Sequence, residues 1–267
     1  MTENNDSKDN PKNSSAVFAD YARYYDLLYR DKDYEGEVNY LEGLLRRFLP
    51  EAKTVLELGS GTGIHAMHLV KRGYDVTGVE ISPTMIKIAS SKLKNKPPSN
   101  PLFIEGDIRN IRLNQTYDAV IALFHVISYQ TTNADVMAAF ETARKHLTPG
   151  GIFIFDIWYG PAVLTERPEV RIKRMGDDHV EITRLAEPVL HPNENLVDVN
   201  YHVFVRDLCA HSVNEFNEKH IMRYFFKPEI DLWAAVSDFT VETAEEWLTA
   251  KPFSPTTWSV CFVLRTA

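Results

Sequence analysis

The sequence predicts an α/β protein: a mostly parallel sheet covered by helices on both faces, with an antiparallel β insertion after its fifth strand. Three observations predict it. Short apolar runs alternate with helical patterns from Thr54 to Trp158, as in repeated strand–helix–strand units. Glycines crowd the point where the first run gives way to a helix, at Gly59, Gly61 and Gly63. From 170 to 226 the apolar period switches to two, with turn residues between the runs.

Each element follows in order. Residues 1–15 are rich in Asn, Asp, Ser and Lys, have little to bury and read as a disordered tail. From 16 to 50 comes an aromatic amphipathic segment (Tyr21, Tyr24, Tyr25, Leu28, Tyr29), then a helix with Val38, Leu41, Leu44, Leu45 and Phe48 on one face. Strand one is 54–58; its helix spans about 62–72, with Thr62 as cap and Gly73 as stop. Strand two is 75–79. Ser82-Pro83 opens the next helix, an N-cap followed by a first-turn proline. A proline-rich loop at 96–101 precedes strand three, 102–104. Strand four is 118–124, and a helix over 133–147 ends in the turn Thr148-Pro149-Gly150-Gly151. Strand five is 152–158. After the insertion, 228–239 reads as a helix, 240–248 contains a strand and 258–265 is the last. This layout divides the chain into a tail, an N-terminal helical segment over 16–50, a core over 51–169 and 227–267, and the insertion over 170–226.

Composition narrows the function classes. With 267 residues, 44% of them hydrophobic, the chain can bury a substantial core as one α/β domain with an insertion or as two small domains. A net charge of −8 argues against a nucleic-acid partner, which calls for a basic surface. Cys209 and Cys261 have neither zinc-ligand nor redox spacing, so both read as reduced and structural. No metal-ligand set stands out. No run approaches the ~18 apolar residues of a membrane span, and the polar start is unlike a signal peptide. A soluble, cytoplasmic protein is the expectation.

Ligands of open parallel sheets bind outside the carboxyl ends of the strands. Glu80 stands there, ending strand two 21 residues after Gly59, where an acid holds the ribose hydroxyls of a nucleoside cofactor. The dinucleotide pattern G-x-G-x-x-G would need glycine at 64, where Ile64 stands. With Glu57 two places before the first glycine, the stretch instead resembles E-x-G-x-G-x-G, motif I of the class I S-adenosylmethionine (SAM) methyltransferases. That resemblance implies SAM as cofactor and a Rossmann-like seven-stranded sheet whose last two strands form an antiparallel hairpin.

The resemblance also implies roles, residue by residue. Glu57, Gly59, Ser60, Gly61 and Gly63 meet the methionine part of SAM, and Glu80 takes its ribose. Ile81 and Met85 pack near the adenine, while Asp107 and Ile108, in a "GD" motif, meet its edge. Tyr25-Asp26-Leu27-Leu28-Tyr29 and Asp33-Tyr34 match the family's lid over SAM, which places Tyr25 and Tyr34 at the cofactor. After strand four, Phe124 lies beside the methyl group, and His125, Tyr129 and Tyr25 are the candidate base and orienting hydroxyls. Trp158, Tyr159, Arg223 and Tyr224 are candidate substrate contacts. Simpler roles stand beside these: Asp107 as a turn cap, Glu57 as a tie for backbone amides, His125 as a structural histidine, the tyrosines as helix packing.

The family's nucleobase-amine signature (D/N)PP(Y/F) is absent after strand four, where Leu123-Phe124-His125-Val126 stands, and no cysteine nucleophile lies there. The closest pattern is that of small-molecule N-methyltransferases acting on nucleotide-linked amino sugars. It shares the 25–34 segment, the 124–129 stretch and the β-rich insertion, with His125 where that pattern has serine. A glycine- or sarcosine-type amine methyltransferase and a natural-product O-methyltransferase share the cofactor half. An NAD-binding oxidoreductase is the rival outside the class. The insertion serves either as a substrate cap or as a homodimer contact.

Overall fold

A computed structural model of the chain describes residue 18 and residues 21–93 and 101–267. The expected tail and most of the 96–101 loop lie outside the described residues. After a 3₁₀ turn, Tyr21–Tyr24, come the short helix α1 (Tyr25–Leu28) and α2 (Tyr34–Phe48). Asp33 caps α2, accepting the Gly36 N–H at 2.8 Å, and the face carrying Val38, Leu41, Leu44 and Leu45 is buried.

The core alternates as expected. It runs β1 (Thr54–Leu58), α3 (Ile64–Lys71), β2 (Asp75–Glu80), α4 (Pro83–Ser91), β3 (Leu102–Glu105), β4 (Tyr117–Ala122), α5 (Asn133–Lys145) and β5 (Leu147–Tyr159). The strands lie in the order β3-β2-β1-β4-β5 and are parallel throughout. After α6 (Gly160–Thr165), β6 (Arg171–Gly176), β7 (Val180–His191), β8 (Leu196–Asp207) and β9 (Ser212–Phe225) make an antiparallel sheet. Helix α7 (Lys227–Val236) leads to β10 (Phe239–Glu246) and β11 (Ser259–Thr266), an antiparallel hairpin whose β11 pairs with β5. Among the described residues seven strands thus form the core. The insertion adds four, giving eleven in one continuous sheet.

The join positions the site. β4 makes its last pair with β5 at Ala122–Phe155, and β9 takes up the same edge at Trp158–Tyr224 and Tyr159–Phe225. The insertion is therefore hydrogen-bonded to the tip of β5, over the carboxyl ends of the parallel strands. Side chains alternate along β5: Phe153, Phe155 and Ile157 pack with Phe140 and Phe262 on one face, Ile152 and Ile154 with Leu69 and Val263 on the other.

Several boundaries differ from the sequence-based expectation. Strand four stops at Ala122, not 124, because Phe124 and His125 have φ of 62° and 64°, a left-handed pair that cannot continue a strand. Helix α3 begins at Ile64 behind Gly63 (φ 77°), so Thr62 does not cap it and its hydroxyl binds Asp26 at 2.6 Å instead. The expected turn at 148–151 falls within β5 as an irregularity between the Tyr117–Leu147 and Ala119–Ile152 pairs, four residues facing Asp118 alone. Among the described residues no helix is long and apolar enough to cross a membrane.

Candidate active site

A cavity of about 1010 Å³ lies beneath the insertion, large enough for a nucleoside cofactor and a second small molecule. Its floor is the β1–α3 turn. Gly59 and Gly61 have φ of 74° and 55°, and a Cβ on Gly59 would meet Val126 Cγ2 at 2.5 Å. Gly63 lies outside the lining and is packed under the Phe103 ring. The Ser60 hydroxyl is buried with no partner.

Glu80 sits at the next strand end. Its carboxylate accepts the Gly61 N–H at 2.9 Å and the Ser82 N–H at 2.8 Å. A carboxylate accepts about four hydrogen bonds, so two acceptor sites remain for a ligand. Burial raises its pKa above the ordinary glutamate value, against the lowering pull of those amides. Ile81, Met85 and Ile108 line the same part of the cavity. Asp107 lines it too, but its carboxylate is held by Arg109, whose Nε lies 3.0 Å from both oxygens and whose Nη1 reaches Asp135 at 2.9 Å.

Glu57 lies below the loop. One oxygen is 3.4 Å from His65 Nδ1, and the other is buried without a partner. His65 Nε2 in turn meets Glu37 at 2.7 Å, and Glu37 pairs with Lys32. Burial works against ionising either group of this pair, yet their mutual contact outweighs it. Glu37 is pushed down to about 2, and His65 is raised. The Lys32 ammonium stands 4.3 Å over the Tyr34 ring and 4.5 Å over Phe124. Tyr34 keeps a buried hydroxyl with no partner, and burial raises its pKa.

The far end of the cavity holds the candidate catalytic groups. His125 Nδ1 is 2.7 Å from Asp156 Oδ2, off the line of a well-directed hydrogen bond, and the His125 backbone N–H meets the same carboxylate at 3.1 Å and 3.2 Å. A non-glycine residue held at positive φ beside a buried acid marks stored strain at a cavity wall. Tyr129 contacts His220, with 2.8 Å between its hydroxyl and Nδ1, and His220 Nε2 is 2.8 Å from Glu218. The Tyr25 ring packs against Tyr29 at 4.7 Å, and burial raises its phenol well above the usual range. Arg184 of β7 donates to the Tyr21 and Tyr29 hydroxyls at 2.7 Å and 3.2 Å, tying the N-terminal tyrosines to the insertion.

Of the four expected substrate contacts, Trp158 alone lines the cavity. Tyr159 packs on Phe253, Arg223 is buried between Asn133 and Glu229, and the buried Tyr224 bonds Pro192 O. The reason is register: from Tyr224 on, β9 is paired to β5 and its side chains enter the core. From the insertion, Val199 and Tyr201 of β8 and residues 217–222 of β9, among them Glu218 and His220, line the cavity just before that join. Period-two patterning marked these strands but could not say which face meets the cavity. Asp156 was hidden inside an apolar run.

A glycine floor, an acid at the end of β2 and a deep cavity closed by an insertion fit a nucleoside-bearing donor. Unpartnered buried oxygens on Ser60 and Tyr34 supply polar groups such a donor needs, whereas Glu57 lies outside the lining. This chain belongs to the class I SAM-dependent methyltransferases. The methyltransferase-domain family matches residues 55–151. The chain is 30% identical over 228 residues to the dTDP-3-amino-3,4,6-trideoxy-alpha-D-glucopyranose N,N-dimethyltransferase of Streptomyces venezuelae, covering 85% of this chain and 92% of that one. It is 28% identical over 241 residues to the dTDP-4-amino-2,3,4,6-tetradeoxy-D-glucose N,N-dimethyltransferase of Saccharopolyspora spinosa, covering 90% and 91%. The crystal structure of Streptomyces venezuelae DesVI superposes with a TM-score of 0.78 at 27% identity, over 93% of this chain and 99% of that one. Among the described residues no group of three His, Cys, Asp or Glu side chains is placed to hold a metal ion.

Proposed function

We propose that the enzyme transfers the methyl group of SAM to the amine of a nucleotide-linked amino sugar. The observation that carries the reading is a continuous cavity from the glycine turn to His125 and Tyr129, roofed by the insertion. Likeness to amino-sugar dimethyltransferases along nearly the whole chain supports the substrate class. SAM supplies an electrophilic methyl group on a sulfonium, and the protein orients its two reactants and excludes water.

Roles follow from position. The free acceptor sites of Glu80 take the ribose, and Gly59, Ser60 and Gly61 take the methionine end. Ile81, Met85 and Ile108 hold the adenine; Asp107 meets its edge with Arg109 already in place. Tyr25 and Tyr34 close over the donor from the N-terminal side and Phe124 from the turn after β4, so residues 16–50 act as a lid and 170–226 as the substrate cap. His125, set against Asp156, stands with Tyr129 and Tyr25 at the acceptor end, where a base and orienting hydroxyls are needed. One observation favours a second reading, transfer to a hydroxyl: a histidine beside a buried aspartate suits an acceptor that must lose a proton as it attacks.

A methyl-transfer screen separates the readings. With SAM, dTDP-linked amino sugars, small amines and hydroxylated acceptors are offered in parallel. Turnover confined to the amino sugars is the expected result. Turnover confined to hydroxylated acceptors would replace this reading with the second.

A further inference from the structure

We infer that Tyr129, His220 and Glu218 form a proton relay that carries the acceptor's proton from the reaction cavity into the insertion. It rests on the amine reading above. Tyr129 comes from the turn after β4, and the other two come from β9, so the relay exists only because the insertion folds over the core.

The hydrogen bonds fix its direction. Glu218 Oε1 accepts the Phe18 N–H at 2.6 Å and lies 2.8 Å from His220 Nε2, so an ionised carboxylate takes the Nε2–H. Nδ1 then carries the bare lone pair and accepts the Tyr129 O–H at 2.8 Å. Tyr129 lines the cavity, and its oxygen keeps lone pairs with which it can accept from an ammonium. Tyr129 is no base by itself, because burial holds its phenol protonated well above the usual range, with Tyr201, Tyr29, Glu218 and Glu80 adding to the effect. The histidine behind it is the sink. His220 is 2% exposed and the Glu218 side chain 7%, so the charge arrives away from water beside its own counter-ion.

The other groups facing His220 are Tyr201 of β8, with ring centroids 4.8 Å apart, Tyr21 at 5.7 Å and Phe18 at 4.9 Å. None brings a formal charge. The Arg184 guanidinium sits beyond them, 4.8 Å over the Tyr201 ring. In the step itself an acceptor N–H bond breaks as a Tyr129 O–H bond forms. The original Tyr129 O–H bond breaks as an Nδ1–H bond forms. The positive charge passes from ammonium to imidazolium, and the neutral amine keeps its lone pair for methyl transfer. Tyr129 touches the acceptor; His220 and Glu218 position and discharge it. His125, whose ring contact with Asp156 is poorly directed, keeps an orienting role.

Two measurements test the relay. The first is side-chain ¹⁵N NMR of the wild-type protein with S-adenosylhomocysteine (SAH): Nδ1 of His220 should appear as the unprotonated nitrogen. A protonated Nδ1 would overturn the relay, whatever the substrate. The second is the pH profile of kcat/KM for H220N and Y129F on the amino sugar that the wild type methylates. A sugar amine resembling an α-amino group, pKa ~8, is about one-tenth free base at pH 7. Both variants should therefore lose about ten-fold at pH 7 and return to within about two-fold of wild type at pH 9.5, with SAH affinity unchanged. A loss that is equal at both pH values would overturn the relay and make these residues structural. A wild type that binds SAH but methylates no amine would overturn the functional reading, leaving the NMR result to decide the hydrogen-bond direction.

Discussion

Replacing Glu80 by glutamine separates cofactor binding from folding. The carboxylate already accepts two backbone N–H groups and has two acceptor sites left for the ribose hydroxyls. A hydrogen bond to a charged acceptor contributes about 1.5–3 kcal/mol, and an amide retains part of one. SAH affinity should thus fall by about 2–3 kcal/mol, or about 30- to 150-fold. Folding should respond differently. Glutamine leaves one of the Gly61 and Ser82 N–H groups poorly paired, but it also removes a charge whose burial raises its pKa. The two effects offset, and the unliganded protein should change by no more than about 1 kcal/mol in denaturant. Titration calorimetry with SAH and urea unfolding of the same preparations measure both. An affinity within two-fold of wild type, with the fold intact, would remove Glu80 from the ribose site.

Other consequences are equally direct. His125→Ala should lower kcat by about ten-fold or more through a misplaced acceptor, since misplacement costs up to ~10²-fold, while SAH affinity stays within two-fold; steady-state kinetics beside calorimetry would show equal losses if the residue only shapes the cofactor pocket. Gly59→Ala puts a Cβ 2.5 Å from Val126 at a φ of 74°, so it should cost at least about 2 kcal/mol of stability and weaken SAH, both read from thermal unfolding with and without ligand. Stability should also follow pH through the Glu37–His65 pair. Glu37 is depressed from 4.5 to about 2, so its contribution of about 3 kcal/mol is present above 4.5 and is lost as pH falls toward 2. His65 is raised above 6.5, so its contribution is present below 6.5 and is lost as pH rises through the folded-state value. Urea midpoints between pH 3 and 8 should fall at both ends for the wild type and lose the alkaline limb in His65→Asn.

How far residues alone reach is seen strand by strand. The parallel core could be read because each strand is a short apolar run closed by a breaker, and because Ser82-Pro83 announces a helix chemically. Glu80 could be placed because a side chain at a strand's carboxyl end has one direction open to it. His125 could be placed, but its left-handed backbone and its partner Asp156 could not, since the aspartate sits in Ile152–Trp158 like any core residue. In the insertion the strands were visible and their register was not. The alternation that makes Tyr224 look equivalent to Glu218 gives no hint that β9 joins β5 at Trp158. That pairing sends Arg223 and Tyr224 inward and leaves His220 to the cavity. The N-terminal tyrosines form one aromatic group in the sequence, yet only folding shows Arg184 gathering Tyr21 and Tyr29 beneath the insertion.

The claim on which the rest depends is methylation at nitrogen on a sugar carried by a nucleotide. SAM labelled with ¹³C at its methyl carbon, incubated with a dTDP-linked amino sugar and the enzyme, reports this in a single carbon–proton correlation spectrum. A new N-methyl resonance that grows in step with SAH is the predicted result. An O-methyl resonance, or SAH formation with no label on the sugar, would contradict it.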